Sequence, residues 1–88
     1  MTMQLKYLVR IDKDDDSDWG ASVPDLPGCI ATARTLDGVV RRIRTAIEMH
    51  VRGLRADGEV VPKPRTRTLR PTTSRRSVVV YASVAVAA

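Results

Sequence analysis

The chain opens with a period of two. Leu5, Tyr7, Val9 and Ile11 fall on one side of "MQLKYLVRI", and Gln4, Lys6 and Arg10 fall on the other together with Leu8. That alternation predicts a strand with one face in a core. A run without apolar residues, "DKDDDSD", ends it as a turn, and "WGASV" resumes as a second strand paired antiparallel with the first. "CIATA" is a short third strand, so the first part of the chain reads as a three-stranded meander.

The period then changes. Leu36, Val39, Val40, Ile43, Ile47, Val51 and Leu54 recur at helical spacing, with Arg41, Arg42, Arg44, Glu48, Arg52 and Arg55 on the remaining faces. Thr35 is an N-cap and Asp37 places a negative charge in the first turn, where the helix dipole favours it. Gly58 stops the helix and Pro62 and Pro64 forbid its continuation, which predicts a helix over 36–56 with Gly38 and Gly53 as weak points. Residues 65–77 have no apolar period and read as a basic loop, and 78–88 read as a last strand with Val78, Val80, Ala82, Val84 and Val86 on one face. A helix joining two strands of one sheet implies a right-handed crossover, so this strand is expected to run parallel to a meander strand. The expected fold is α+β, β-β-β-α-β in one domain over 1–88, with the helix on one face of the sheet. The other face shows Leu8, Val79, Tyr81 and Ala85, enough apolar surface to predict a homo-oligomer.

"VPDLPG" joins the second and third strands. Pro24 and Pro27 fix φ and cannot donate to a sheet, and Gly28 takes a positive φ to turn the chain back. The segment is a stiff corner whose shape is set before any partner arrives.

Charge is divided along the chain. Acids dominate the first third and arginines the rest, within a net charge of +5. No secretory leader is apparent, because Lys6 and Arg10 interrupt the early apolar residues. The closing "VVVYASVAVAA" falls short of the ~20 apolar residues of a spanning helix. A soluble, cytoplasmic protein without a membrane partner is expected.

Enzyme chemistry finds little support. Cys29 stands alone and reads as a small buried thiol, and His50, the single histidine, borders the apolar stripe. Glu48 is the lone helix glutamate, the last strand has no acid, and the first has none before Asp12. A two-metal nuclease needs several carboxylates on those elements. No catalytic residue, metal or cofactor is assigned.

Two charged segments remain. The hairpin aspartates Asp14, Asp15, Asp16 and Asp18 are either a solvated turn or a patch for a basic partner; EF-hand spacing is absent. Arg65, Arg67, Arg70, Arg75 and Arg76 are either a solvated loop or a weak, nonspecific phosphate-binding surface that Arg41, Arg42 and Arg44 would extend.

The ordered string from Trp19 and Ala21 through "SVPDLPGC" and Thr35 to "DGEVVPKP" resembles the HicB antitoxin family over residues 3–64. The resemblance implies a partial RNase H fold without enzymatic activity. It also implies a bacterial type II antitoxin that binds and inhibits a HicA-like mRNA-cleaving toxin. On that reading the toxin-binding residues are Asp14, Asp15, Asp16, Asp18, Trp19, Pro24, Asp25, Leu26 and Pro27, the acidic hairpin serving as a decoy for a basic, RNA-holding surface. The alternative is a stand-alone nucleic-acid-binding or regulatory domain without a toxin, and a structural oligomer is a third. Two departures stand out: Gly20 raises the expectation of a bulge, and the sequence stops at Ala88 where many family members continue into a DNA-binding domain.

Overall fold

A computed structural model describes residues 2–67 and 76–87. Strand β1 is Thr2–Lys13, β2 Trp19–Ser22, β3 Ile30–Ala33, helix α1 Leu36–Ala56, and strand β4 Arg76–Ala87. The sheet order is β3-β2-β1-β4. Each pair of neighbours is antiparallel, and β4 pairs along all of β1, from Thr2 opposite Ala87 to Lys13 opposite Arg76. The fold is thus the expected α+β arrangement with one correction: β4 is antiparallel.

The cause lies after the helix. The start of α1 lies with Asp18 and Ala33 at one end of the sheet, and its last turns lie against Val84 and Val86 at the other. A strand beginning directly there would run parallel to β1. Instead the exit segment carries the chain past Tyr7, whose hydroxyl donates to the Pro62 carbonyl, and on to Tyr81, whose hydroxyl donates to the Arg67 carbonyl. Tyr81 is opposite Leu8, and β4 begins further on, at Arg76 opposite Lys13. The strand therefore enters from the far end and returns.

Local chemistry sets the helix limits as expected. The Gly38 N–H donates to Thr35 Oγ1 at 3.0 Å, and Gly58 beyond the C-cap has φ +72°. Val39, Ile43, Ile47 and Val51 bury the helix stripe against Tyr7, Val9, Ile11, Ala21, Val23, Ala82, Val84 and Val86. β1 and β4 contribute their expected inner faces.

Two other expectations change. Gly20 pairs one-to-one with Asp12 and Thr32, so β2 carries no bulge there. On the outer face Val79 and Tyr81 remain about half exposed, but only 1% of Leu8 is accessible. Leu8 is closed to solvent, so the open apolar patch is smaller than the alternation implies. Lys6 places its ammonium 5.5 Å from the centre of the Tyr81 ring, a cation–π contact that covers part of the remainder.

Candidate functional site

The corner after β2 is two turns in tandem. The Leu26 N–H donates to the Val23 carbonyl at 3.0 Å, and the Cys29 N–H donates to the Leu26 carbonyl at 3.0 Å. Each turn has a proline at its second position, and Gly28 takes φ +85° at the third position of the second turn. Proline followed by a positive-φ glycine is the signature of a type II turn. The Val23 N–H closes the loop on the Cys29 carbonyl at 3.3 Å.

Inside this corner the side chains divide sharply. Leu26 exposes none of its surface and joins the core with Val23 and Cys29, whereas Pro24, Pro27 and Gly28 are exposed. Leu26 supports the corner from within; the prolines form its outer rim. Burial also pushes the Cys29 thiol pKa up, which holds it in the unreactive protonated form.

Asp25 turns towards the exit segment. Its Oδ2 accepts the N–H groups of Arg65 and Thr66, each at 2.8 Å, and its Oδ1 accepts the Thr66 hydroxyl at 2.7 Å. Burial alone would raise its pKa. The Thr66 N–H, the Thr66 hydroxyl, the Arg65 N–H and the Arg65 charge together outweigh that and hold it below the ordinary value. The same carboxylate charge, after burial, raises the Tyr7 phenol. Asp25 thus joins two segments about forty positions apart. Its side chain was read from the sequence only as part of the corner; the signal pointing to its partner is the "TRT" that follows the helix-exit prolines.

The acidic hairpin lies at the opposite end of β2. Ser17 organises its tip: the Asp14 N–H donates to Ser17 Oγ at 3.1 Å, and the Ser17 N–H returns to the Asp14 carbonyl. Lys13 Nζ donates to the carbonyls of Asp14 and Asp15. Asp14, Asp15, Asp16 and Asp18 are all exposed, so an ordered negative tip faces solvent. Trp19, half-buried at the start of β2, packs against the core at this end.

The nine residues assigned to toxin contact therefore fall into two groups, one at each end of β2. Between them runs the β3 edge, where Ile30 is 69% and Met49 of α1 is 64% exposed. These two line one shallow groove with Ala46 and Thr45. Sequence reasoning missed both. Ile30 lies in a strand too short to show a face by alternation, and Met49 falls off the helix stripe.

Of the arginines, Arg65 and Arg67 are exposed in the exit segment. Arg70 and Arg75 lie outside the described residues, as does the Arg76 side chain; the Arg76 backbone begins β4. A second basic cluster lies at the start of α1, where Arg34, Arg41 and Arg42 line a cleft with Asp18. Among the described residues no group of three or more His, Cys, Asp or Glu is placed to hold a metal ion, and no helix is long and apolar enough to cross a membrane.

A family model described as the HicB-like antitoxin of bacterial toxin-antitoxin systems matches residues 7–85. The chain belongs to the HicB-like antitoxin family. Among solved structures, the N-terminal domain of the Burkholderia pseudomallei antitoxin HicB superposes on it with a TM-score of 0.74 and 25% identity, covering 91% of this chain and 98% of that one. A HicA3 and HicB3 toxin-antitoxin complex contains a chain of the same fold, with a TM-score of 0.66 and 19% identity, covering 89% of this HicB-like chain and 95% of the other. A UPF0150 protein of Archaeoglobus fulgidus is 38% identical over 47 residues, 53% of this chain and 68% of its own length.

Proposed function

We propose that this HicB-like chain is the antitoxin of a type II pair and neutralises a HicA-like mRNA-cleaving toxin by covering its RNA-holding surface. The observation that carries this is the ordered acidic tip at Asp14, Asp15, Asp16 and Asp18, held in shape by Ser17 and Lys13. A ribonuclease that grips RNA presents positive charge, and a fixed negative tip steers such a partner and fits it once docked. The neighbouring fold from a complex of HicA3 with HicB3 supports the same partner class. Pro24, Pro27 and Trp19 complete the contact surface, Leu26 and Asp25 hold the corner in shape, and Ile30 with Met49 bridges its two ends. The chain acts by binding, without catalysis and without a cofactor, in the cytoplasm, as a homo-oligomer. Exposed Arg65 and Arg67 give it a weak, nonspecific affinity for nucleic acid.

The test is stopped-flow association with a HicA-like toxin. Replacing Asp14, Asp15 and Asp16 with serine should slow association about tenfold at low salt and flatten its salt dependence. Replacing Arg65 and Arg67 with alanine should leave toxin binding unchanged and reduce retention on DNA or RNA. Inhibition that survives the aspartate changes but is lost with the arginines would favour the alternative, a nucleic-acid-binding regulatory domain.

A further inference from the structure

The two edges of the sheet differ in kind. β3 is four residues long, follows Pro27, and has its Thr32 carbonyl occupied by Arg42 Nη1 at 2.9 Å. Short length, a nearby proline and a charged side chain on the backbone are the devices that keep an edge from recruiting another strand. β4 has none of these. It is twelve residues long, carries no charge, proline or glycine from Ser77 to Ala87, and has β1 as its one neighbour in the sheet among the described residues. Alternate N–H and C=O groups along such a strand point away from its partner and call for another.

The surroundings of that edge are suited to a copy of the same chain. Between β4 and the last turns of α1 is a groove of about 500 Å³, floored by Val51, Val84 and Val86 and rimmed by Glu48, Arg52 and Arg55. A rim with both signs of charge is self-complementary about a two-fold axis, because each copy offers the acid that the other copy's arginines need. A purely basic or acidic rim would repel its own copy. Antiparallel pairing of β4 with its copy also has two-fold symmetry, and an axis normal to the sheet keeps both helices on one side.

We infer that β4 pairs edge to edge with β4 of a second copy, giving one continuous eight-stranded sheet with Glu48 of each protomer facing Arg52 and Arg55 of the other. This rests on the homo-oligomer reading above and names the surface that forms it. The edge supplies on the order of ten backbone hydrogen bonds, and the rim charges set the register.

Amide hydrogen exchange followed by NMR tests it together with light scattering. At high micromolar concentration both sets of alternate β4 amides should be protected. On dilution the set not bonded to β1 should exchange about a hundredfold faster, the other set remaining slow. Glu48→Arg should dissociate the assembly, and Glu48→Arg with Arg52→Glu should restore it, at unchanged protection of α1 as the control for folding. Tyr81→Ser, on the outer face, should leave it intact. An oligomer that survives Glu48→Arg and is lost with Tyr81→Ser would overturn the edge and leave the oligomer standing, formed through the sheet face. A monomer at every concentration would overturn both. Protection of the outer amides that appears only when toxin is added would overturn self-pairing and assign the edge to the toxin.

Discussion

Asp25 and Thr66 are bound through both carboxylate oxygens, Oδ1 to the Thr66 hydroxyl and Oδ2 to its backbone N–H. The contact fixes the exit segment against the proline corner. Removing it by Asp25→Ala leaves two backbone donors and a hydroxyl to water and should cost about 1–3 kcal/mol, measured by urea denaturation. Asp25→Asn keeps one acceptor oxygen and should fall between the two.

The same carboxylate makes stability depend on pH. Its pKa in the folded chain lies below the ordinary 3.8, so the unfolded chain binds its proton first as pH falls. The stabilisation is complete above that ordinary value and disappears as pH drops through the lowered one. Denaturation midpoints measured from pH 6 to pH 2 should fall in the acid range, and Asp25→Asn should remove that part of the slope.

Gly38 and Gly53 both weaken a helix on propensity, yet they should respond oppositely to alanine. A Cβ at Gly38 would approach Thr35 Oγ1 to 2.9 Å and the Ala33 Cβ to 3.2 Å, disturbing the N-cap. A Cβ at Gly53 meets nothing within 4 Å. Gly53→Ala should stabilise the chain by about 0.5–1 kcal/mol, and Gly38→Ala should destabilise it. Paired thermal melts decide this.

Leu26→Ala should act on folding rather than on the surface. Its side chain is wholly buried, and truncation leaves a cavity worth about 2–5 kcal/mol. The denaturation midpoint should fall, while the folded fraction keeps its partner's dissociation rate. A faster dissociation at unchanged stability would place the leucine in the interface instead.

Cys29 reports on the same region. Its thiol is buried and its pKa raised, so a thiol reagent should label the native chain slowly and the urea-unfolded chain at once. Fast native labelling would show that the corner opens.

What could be read in the chain follows the range of the interaction. Thr35, Gly28 and Gly58 act within a few residues of themselves, and their caps and turns were legible from neighbouring letters. The inner faces of β1 and β4 were legible because alternation is local too. The direction of β4 was not, because it depends on where the exit segment runs, and that is set by Asp25 and Tyr7 far back in the sequence. Leu8 misled for a related reason: its neighbours give it an outer face, yet only 1% of it is accessible, and local alternation carries no sign of that burial. Of the candidate site, the acidic tip was legible as charge. The place of Ile30 and Met49 on one surface was not, since it needs the angle of α1 across β3.

The pairing of Thr2 with Ala87 has a consequence during synthesis. β1 pairs with β4 along its whole length, so it keeps one long edge open until residues 76–87 reach it. Contacts of such wide sequence separation form late, and a chain awaiting them is open to chaperones and proteases. A chain built this way is most exposed in the interval before β4 docks.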